Sequence, residues 1–260
     1  MIESLTVLGS GTILPARNHG CSGYLLCGDS SPVLIDCGPG TLCRLADVGV
    51  SPDSIEVILI SHFHLDHVSD LAAFLNSRWL LQPDARHRME IVGPPGLRAH
   101  MAWLGERMDS WFEDYRFDLV EMKDRRHCSG SICIDALPTG HTADSISYRL
   151  TDETGRTLFY SGDTDYNEIL VNLARDADLA IFECSMSEKE KIRGHLTPRL
   201  AATLAHMAGV RHLVLTHFYR EILGIDIRAE AKKYYDGPIS LAVDLESYSI
   251  GPLGAEKQGG

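Results

Sequence analysis

The chain has 260 residues, 44% of them hydrophobic, which is enough for a sizeable core, and we expect one globular unit over residues 1–253 followed by a loose tail at 254–260. Its formal net charge of −12 argues against a broad nucleic-acid-binding surface, which would gather Lys and Arg, but not against a phosphate ester held by bound cations. No run is apolar and long enough to span a bilayer, the start lacks the basic-then-apolar form of a secretory signal, and the seven cysteines form no CxxC pair, so we expect a soluble cytoplasmic protein with reduced thiols and no cysteine-type zinc site.

The first third reads as short strands and turns: Leu5 to Leu8, the turn Gly9-Ser10-Gly11-Thr12, Gly23 to Cys27 and Val33 to Asp36. Asp36 closes its strand before a helix at 41–48 and is expected to support the site from behind. The buried-type strand Val57-Ile58-Leu59-Ile60 leads into Ser61-His62-Phe63-His64-Leu65-Asp66-His67, and helical spacing continues over 67–81. A helix is predicted over 97–113, with Met101, Trp103, Leu104, Met108, Trp111 and Phe112 read as a core-facing stripe. The basic cluster Lys123, Arg125, Arg126, His127 reads as a solvated turn. Strands follow near 118–121, 131–136, 145–150 and 157–160. The last third alternates again: helix 167–173, strand 179–183, helix 197–207 with Thr197-Pro198 at its start, strand 212–215, helix 228–234, and strands 239–242 and 246–250. Strands in two runs with helices at both ends predict an α/β fold of four layers, αββα.

Polar residues recur at the ends of these strands. They are His62, His64, Asp66 and His67, then His141, Asp163, Glu183 and His217. Imidazoles and carboxylates are ordinary ligands for zinc and its neighbours, and the strand ends of α/β sheets commonly converge on one cleft. His19, His87, His100, His127, His206 and His212 lack such placement and are assigned core or surface roles; His19, Asp165, Tyr166 and Arg220 lie near enough in sequence to reach a substrate, but solvated loops suit them better.

The string His62-Phe63-His64-Leu65-Asp66-His67 is the His-x-His-x-Asp-His signature, and the chain resembles the metallo-β-lactamase superfamily over nearly its whole length. Within it, Ser161-Gly162-Asp163-Thr164, Phe182-Glu183-Cys184-Ser185, Gly194-His195-Leu196-Thr197 and Leu215-Thr216-His217-Phe218 are most similar to the ribonuclease Z group. The resemblance implies two divalent metal ions, zinc first and manganese or iron as alternatives. His62, His64 and His141 would hold one, Asp66, His67 and His217 the other, and Asp163 would bridge them around a shared hydroxide nucleophile. Catalysis is assigned to Asp66, His195 and Glu183, the glutamate orienting the histidine as general acid; the competing role for His195 is a helix cap, with Glu183 in a buried ion pair. Ribonuclease Z proteins that process transfer RNA usually carry a gripping arm between the counterparts of His141 and Asp163. Here those residues stand 22 apart, which leaves room for two strands and a turn only.

The expected activity is therefore hydrolysis of a small or cyclic phosphodiester or a short nucleotide. A lactone, ester or sulfate-ester hydrolase, a transfer-RNA 3′-processing endonuclease and a non-catalytic metal-containing binding protein are the alternatives. The expected partner is an anionic small molecule rather than a large RNA or a membrane. Similar proteins are often dimers, and the aromatic helix around Trp103 and Trp111 could serve as an interface.

Overall fold

A computed structural model describes residues 1–81, 89–108, 112, 117–122, 126–251 and the backbone of 256–258. The first sheet is built of β1 (Ile2–Gly9), β2 (Gly23–Gly28), β3 (Val33–Ile35), β4 (Val57–Leu59), β5 (Met89–Gly93), β6 (Phe117–Glu121), β14 (Ser247–Ser249) and β15 (Glu256–Gln258), in the order β15-β14-β1-β2-β3-β4-β5-β6. The second holds β7 (Arg126–Ser129), β8 (Ile132–Pro138), β9 (Ile146–Asp152), β10 (Thr157–Tyr160), β11 (Leu179–Glu183), β12 (Leu213–Thr216) and β13 (Ile239–Leu241), in the order β13-β12-β11-β10-β9-β8-β7. Strands β3 to β6 run parallel, as do β10 to β13.

Strand periodicity separates the layers. Leu34, Ile58 and Ile60 pack with Leu45 of α1 (Thr41–Asp47), Leu71, Phe74 and Leu75 of α3 (Leu71–Leu81), and Leu97 and Met101 of α4 (Leu97–Gly105). Their neighbours Val33, Ile35, Val57 and Leu59 join Ile134, Tyr148 and Leu150 of the second sheet. The same core takes in Leu170 of α5 (Ile169–Leu173), Ala201 and Ala205 of α6 (Pro198–Ala208) and Ile227 of α7 (Ile227–Lys232). The architecture is the expected αββα sandwich. Helix α6 starts as its sequence predicts: Thr197 accepts the Leu200 N–H, Pro198 fills the first turn, and Gly209 ends the helix at φ 66°.

Several expectations need correction. Cys128 and Cys133 face each other across the β7–β8 hairpin and form a disulfide, so not all seven cysteines are thiols. Arg126 and His127 belong to strand β7 rather than to a solvated turn; the exposed edge position explains their polarity. The helix expected over 67–81 is two pieces, α2 (Leu65–Val68) and α3. The one expected over 97–113 has its regular part at α4, whose buried face is Leu97 and Met101, while Trp103 is half exposed and outside the core. Trp111, His87, Lys123 and Arg125 lie outside the described residues. Within the segment expected to be a loose tail, Glu256–Gln258 pairs antiparallel with β14.

Buried side-chain bonds tie the two sheets together at several points. Tyr148 Oη donates to the Ile60 carbonyl at 2.7 Å, and Tyr24 Oη meets Thr216 Oγ1 at 2.8 Å. At the far ends of β9 and β1, Asp152 accepts from the Ile2 N–H at 2.6 Å, from the Thr154 N–H and hydroxyl at 2.8 and 2.7 Å, and from the Arg156 N–H at 3.0 Å. Burial works to raise the Asp152 carboxyl, but these bonds outweigh it and hold its pKa below the ordinary value of 3.8. Stability from such a group is present above the unfolded pKa and lost as pH falls through the folded one. Asp152→Ala should cost about 1–3 kcal/mol at pH 7 in urea denaturation, and the deficit against the parent chain should shrink below about pH 4. An equal deficit at both pH values would contradict this origin.

Candidate metal centre

Several strands of both sheets end at one cleft and deliver polar residues to it. His62, His64, Asp66 and His67 follow β4, His141 follows β8, Asp163 follows β10, Glu183 ends β11 and His217 follows β12. A cavity of about 260 Å³ opens there, lined by Ile13, His64, Leu65, Asp66, His141, Asp163, His195 and Tyr219.

Among the described residues three donor groups gather around Asp163, the third being Asp163 itself with His195 and His217. His62, His64, His141 and Asp163 place donor atoms within 4.8 Å of one another, and so do Asp66, His67 and His217. Asp163 Oδ2 lies 3.7 Å from His62 Nε2 and 3.6 Å from His141 Nε2, whereas Oδ1 lies 3.4 Å from the Nε2 atoms of both His67 and His217. Each oxygen therefore faces a different group. His141 Nε2 and His64 Nδ1 are 3.1 Å apart, and His67 Nε2 and His217 Nε2 are 3.2 Å apart. Two imidazole nitrogens bound about 2.0–2.1 Å from one tetrahedral ion stand roughly 3.3 Å from each other. Facing lone pairs at that separation are what a shared cation accommodates. Among the described residues, buried His62 Nε2 and Asp163 Oδ1 have no hydrogen-bond partner, which is costly unless an ion completes them.

The outer nitrogens are fixed from behind. His67 Nδ1 donates to Asp36 Oδ2 at 2.7 Å, and the same carboxylate receives Tyr160 Oη at 2.6 Å, Ser61 Oγ at 2.8 Å and the Ser61 N–H at 2.7 Å. Asp36 thus supports the site as its place in the sequence suggests. His141 Nδ1 donates to the Gly194 carbonyl at 2.8 Å. His217 Nδ1 donates to Ser185 Oγ at 3.0 Å, whose own proton goes to Glu183 Oε2 at 2.5 Å. In each case the inward nitrogen is left as the ligand atom. Asp36 and His217 adopt φ 55° and 57°, a left-handed backbone that L-residues rarely hold, and both do so at this site.

Electrostatics favour positive charge at the centre. Burial and the neighbouring His67 lower the His62 pKa well below its ordinary value, and burial with His141 lowers that of His64, so both are neutral donors. Burial would raise the Asp163 carboxyl, but His217 and His67 outweigh it and keep it ionised. Burial would lower His67, yet Asp163 and Asp36 raise it strongly; a bound cation would take the place of that proton.

His195 stands beside the donors. Its Nδ1 is 3.2 Å from both oxygens of Glu183, which also accepts from the Thr164 N–H at 2.6 Å and the Leu196 N–H at 3.1 Å. Burial lowers the imidazole pKa, but the Glu183 hydrogen bond and charge, with Asp163 and Asp66, push it up to about 8. Thr197, not His195, caps α6, so the capping alternative is removed, while the ion pair with Glu183 is present.

Four supports, Asp165, Gly194, Ser185 and Tyr219, are given no supporting role by the sequence alone. Asp165, expected in a solvated loop, accepts the Gly194 N–H at 2.8 Å and pairs with Lys191 at 2.8 Å, and so holds the carbonyl that orients His141. Gly194 is at φ 94°, where a Cβ would stand 2.9 Å from His141 Nδ1, so only glycine fits. Ser185 and Tyr219 complete the set; each lies close to a motif residue, but neither has a pattern of its own. The other histidines lie elsewhere. His19 meets Ser10 Oγ at 2.7 Å, His127 meets Glu90 at 2.9 Å, His212 meets Ser240 at 3.0 Å, His100 stacks on Phe63, and His206 is exposed. Arg220 and Tyr166 do not line the cleft.

The sequence profile of the β-lactamase superfamily domain matches residues 32–218, which carry both donor groups. The chain belongs to this superfamily. It is similar to the probable metallo-hydrolase YhfI of Bacillus subtilis, 27% identical over 242 residues that cover 92% of this chain and 96% of that one. The crystal structure of YhfI superposes with a TM-score of 0.84 at 24% identity, covering 96% of this chain and 100% of that one. A ribonuclease Z of Kineococcus radiotolerans is 30% identical over 278 residues, 88% of each chain. The crystal structure of the short form of human tRNase Z superposes with a TM-score of 0.76 at 26% identity, covering 95% of this chain and 99% of that one. This superfamily member has the metallo-β-lactamase fold and is a metal-dependent hydrolase of the ribonuclease Z-like group, with a His and Asp cluster suited to divalent metal. Among the described residues no helix is long and apolar enough to cross a membrane.

Removing a carboxylate behind a ligand typically costs about 10–100-fold in metal affinity. Asp36→Asn should weaken zinc binding by about that factor, and Asp165→Ala by about tenfold, in competition with a chromophoric chelator. Parental affinity in both variants would show that these carboxylates do not position the ligands.

Proposed function

We propose that the chain is a phosphodiesterase for a small or cyclic phosphodiester or a short nucleotide, working with two divalent metal ions. His62, His64 and His141 would hold one ion, Asp66, His67 and His217 the other, and Asp163 both; zinc suits this imidazole-rich set, and manganese or iron would accept the same donors. The observation that carries the proposal is the Asp163 carboxylate, with one oxygen toward each imidazole group. Two such ions, when bound, supply an activated water and neutralise charge on a phosphoryl group.

The protein side chains supply the rest. Glu183 holds Nδ1 of His195, which leaves the Nε2 proton for the oxygen that departs as the P–O bond breaks. Tyr219 lines the same cleft, and burial together with Asp163 and Asp66 pushes its phenol up to about 12. It therefore stays protonated at neutral pH and can donate a hydrogen bond to a phosphoryl oxygen. The Asp165–Gly194 link keeps His141 and His195 in fixed relation, because consecutive residues 194 and 195 serve the two roles.

A small substrate is favoured by what lies between His141 and Asp163: strands β9 and β10 and their connecting turn, with no inserted arm. The net charge of −12 points the same way. Transfer-RNA processing is the second possibility, favoured by the kinship with the Kineococcus ribonuclease Z.

The metal-loaded chain should hydrolyse bis-p-nitrophenyl phosphate well, and lactones or aryl sulfates poorly; turnover confined to lactones would overturn the phosphodiesterase proposal. His195→Gln should lower kcat by about 10²–10⁴-fold with metal content retained. Because a general acid must carry its proton, kcat of the parent should fall as pH rises through the His195 pKa of about 8, and the variant should lose that limb. Tight, salt-sensitive retention on a transfer-RNA column would favour the second possibility instead.

A further inference from the structure

A second cavity, of about 520 Å³, adjoins the metal cleft between α2 and α4, lined mainly by Phe63, Leu65, Val68, His100, Trp103 and Leu104. Leu65 lines both cavities, so they adjoin. The signature loop serves the two in alternation: His62, His64 and Asp66 turn to the metal donors, while Phe63 and Leu65 turn to the groove. Whatever is bound at His64 or Asp66 is one residue away from this second surface.

The lining has a definite chemistry. Phe63 and His100 lie parallel, 13° between planes and 4.7 Å between centroids, and His100 continues to Trp103 at 6.2 Å and 35°. Three rings thus follow one another outward from the metal loop. Leu65 and Val68 of α2 form the aliphatic side of the groove. None of these side chains is acidic, and none is basic apart from His100, whose partial burial favours the neutral ring. In a chain of net charge −12 this is an uncharged patch.

Apolar area is nonetheless left in water. Leu65 is 66% exposed and Trp103 50% exposed. The wall is also held in place. Glu121 Oε1 accepts from the Gly96 and Arg98 N–H groups at 3.1 and 3.0 Å, fixing the start of α4, and the Arg107 guanidinium stands 4.4 Å from the centre of the Trp103 ring.

We propose that this groove receives a planar, uncharged aromatic group of the substrate, of the nucleobase or aryl kind, while its phosphate occupies the metal cleft. This rests on the phosphate-ester function proposed above. A phosphodiester divides into a charged centre and neutral substituents. The two adjoining cavities divide in the same way, one lined mainly by His and Asp able to ligate a metal, the other by flat rings and branched aliphatics.

The test is calorimetric binding of phenyl phosphate, thymidine 5′-monophosphate and methyl phosphate to the zinc-loaded full chain, which needs no turnover. The two aromatic esters should bind about tenfold more tightly than methyl phosphate, the value of one stacked ring. Tightness of one aromatic ester alone would assign the groove to that kind of ring. In Trp103→Ala, a half-exposed position, the preference should fall to less than about twofold. Equal affinity for all three in the parent chain, or an undiminished preference in Trp103→Ala, would overturn the proposal. So would sedimentation velocity showing a dimer that the same substitution dissociates, since a second copy would then fill the groove. If none of the three binds, the phosphate-ester function itself fails, and the groove assignment falls with it.

Discussion

One fully buried carboxylate governs the arrangement of the strand ends. Asp163 is 2% exposed and has imidazoles on both sides, with Oδ1 lacking any hydrogen-bond donor. An ionised carboxylate in such a place is tolerated only if positive charge or donors surround it. His62 and His64, held neutral by burial, cannot provide that, and two pairs of imidazole nitrogens face each other at 3.1 and 3.2 Å. Cations resolve both problems together. The second carboxylate behind the site, Asp36, has the opposite character: it is saturated by donors from His67, Ser61 and Tyr160 and is built to hold an imidazole still. One acid is left open for ions, and the other is closed.

Much of this arrangement is legible in the amino-acid sequence. The apolar run 57–60 followed by three histidines and an acid places the site at a strand end, because period-two burial and metal ligation have strong, local signatures. Helix α6 is readable from Thr197, Pro198 and Gly209, which act through the backbone beside them. What the sequence hides depends on tertiary neighbours. Asp165 reads as a loop residue because its partner Gly194 is 29 residues away, and nothing local marks a carboxylate that binds a distant N–H. Trp103 reads as core since helical spacing shows that a stripe exists without showing which residues in it face a cavity. Strand β7 is hidden because an edge strand with alternating polar residues is indistinguishable from a turn until its partner β8 is known. The disulfide shares that origin: Cys128 and Cys133 are paired by hairpin register, not by a spacing motif.

The fold also links the proposed acid and the proposed ligands into one unit. Gly194 is bound to Asp165 on one side and to His141 on the other, and the next residue, His195, is bound to Glu183. Glu183 in turn reaches His217 through Ser185. His141 and His217, proposed as ligands, and His195, proposed as proton donor, thus share one hydrogen-bond chain, and a shift at any member is felt by the others. Around this centre, Ile13, Leu65 and Tyr219 line the cleft, with the groove beyond.

The central claim is that two ions share Asp163. Metal analysis by inductively coupled plasma mass spectrometry, on the full chain loaded with zinc and dialysed free of excess, tests it most directly. Two ions per chain in the parent and no more than one in Asp163→Ala are predicted. A single ion in the parent, or two ions retained without the Asp163 carboxylate, would contradict it.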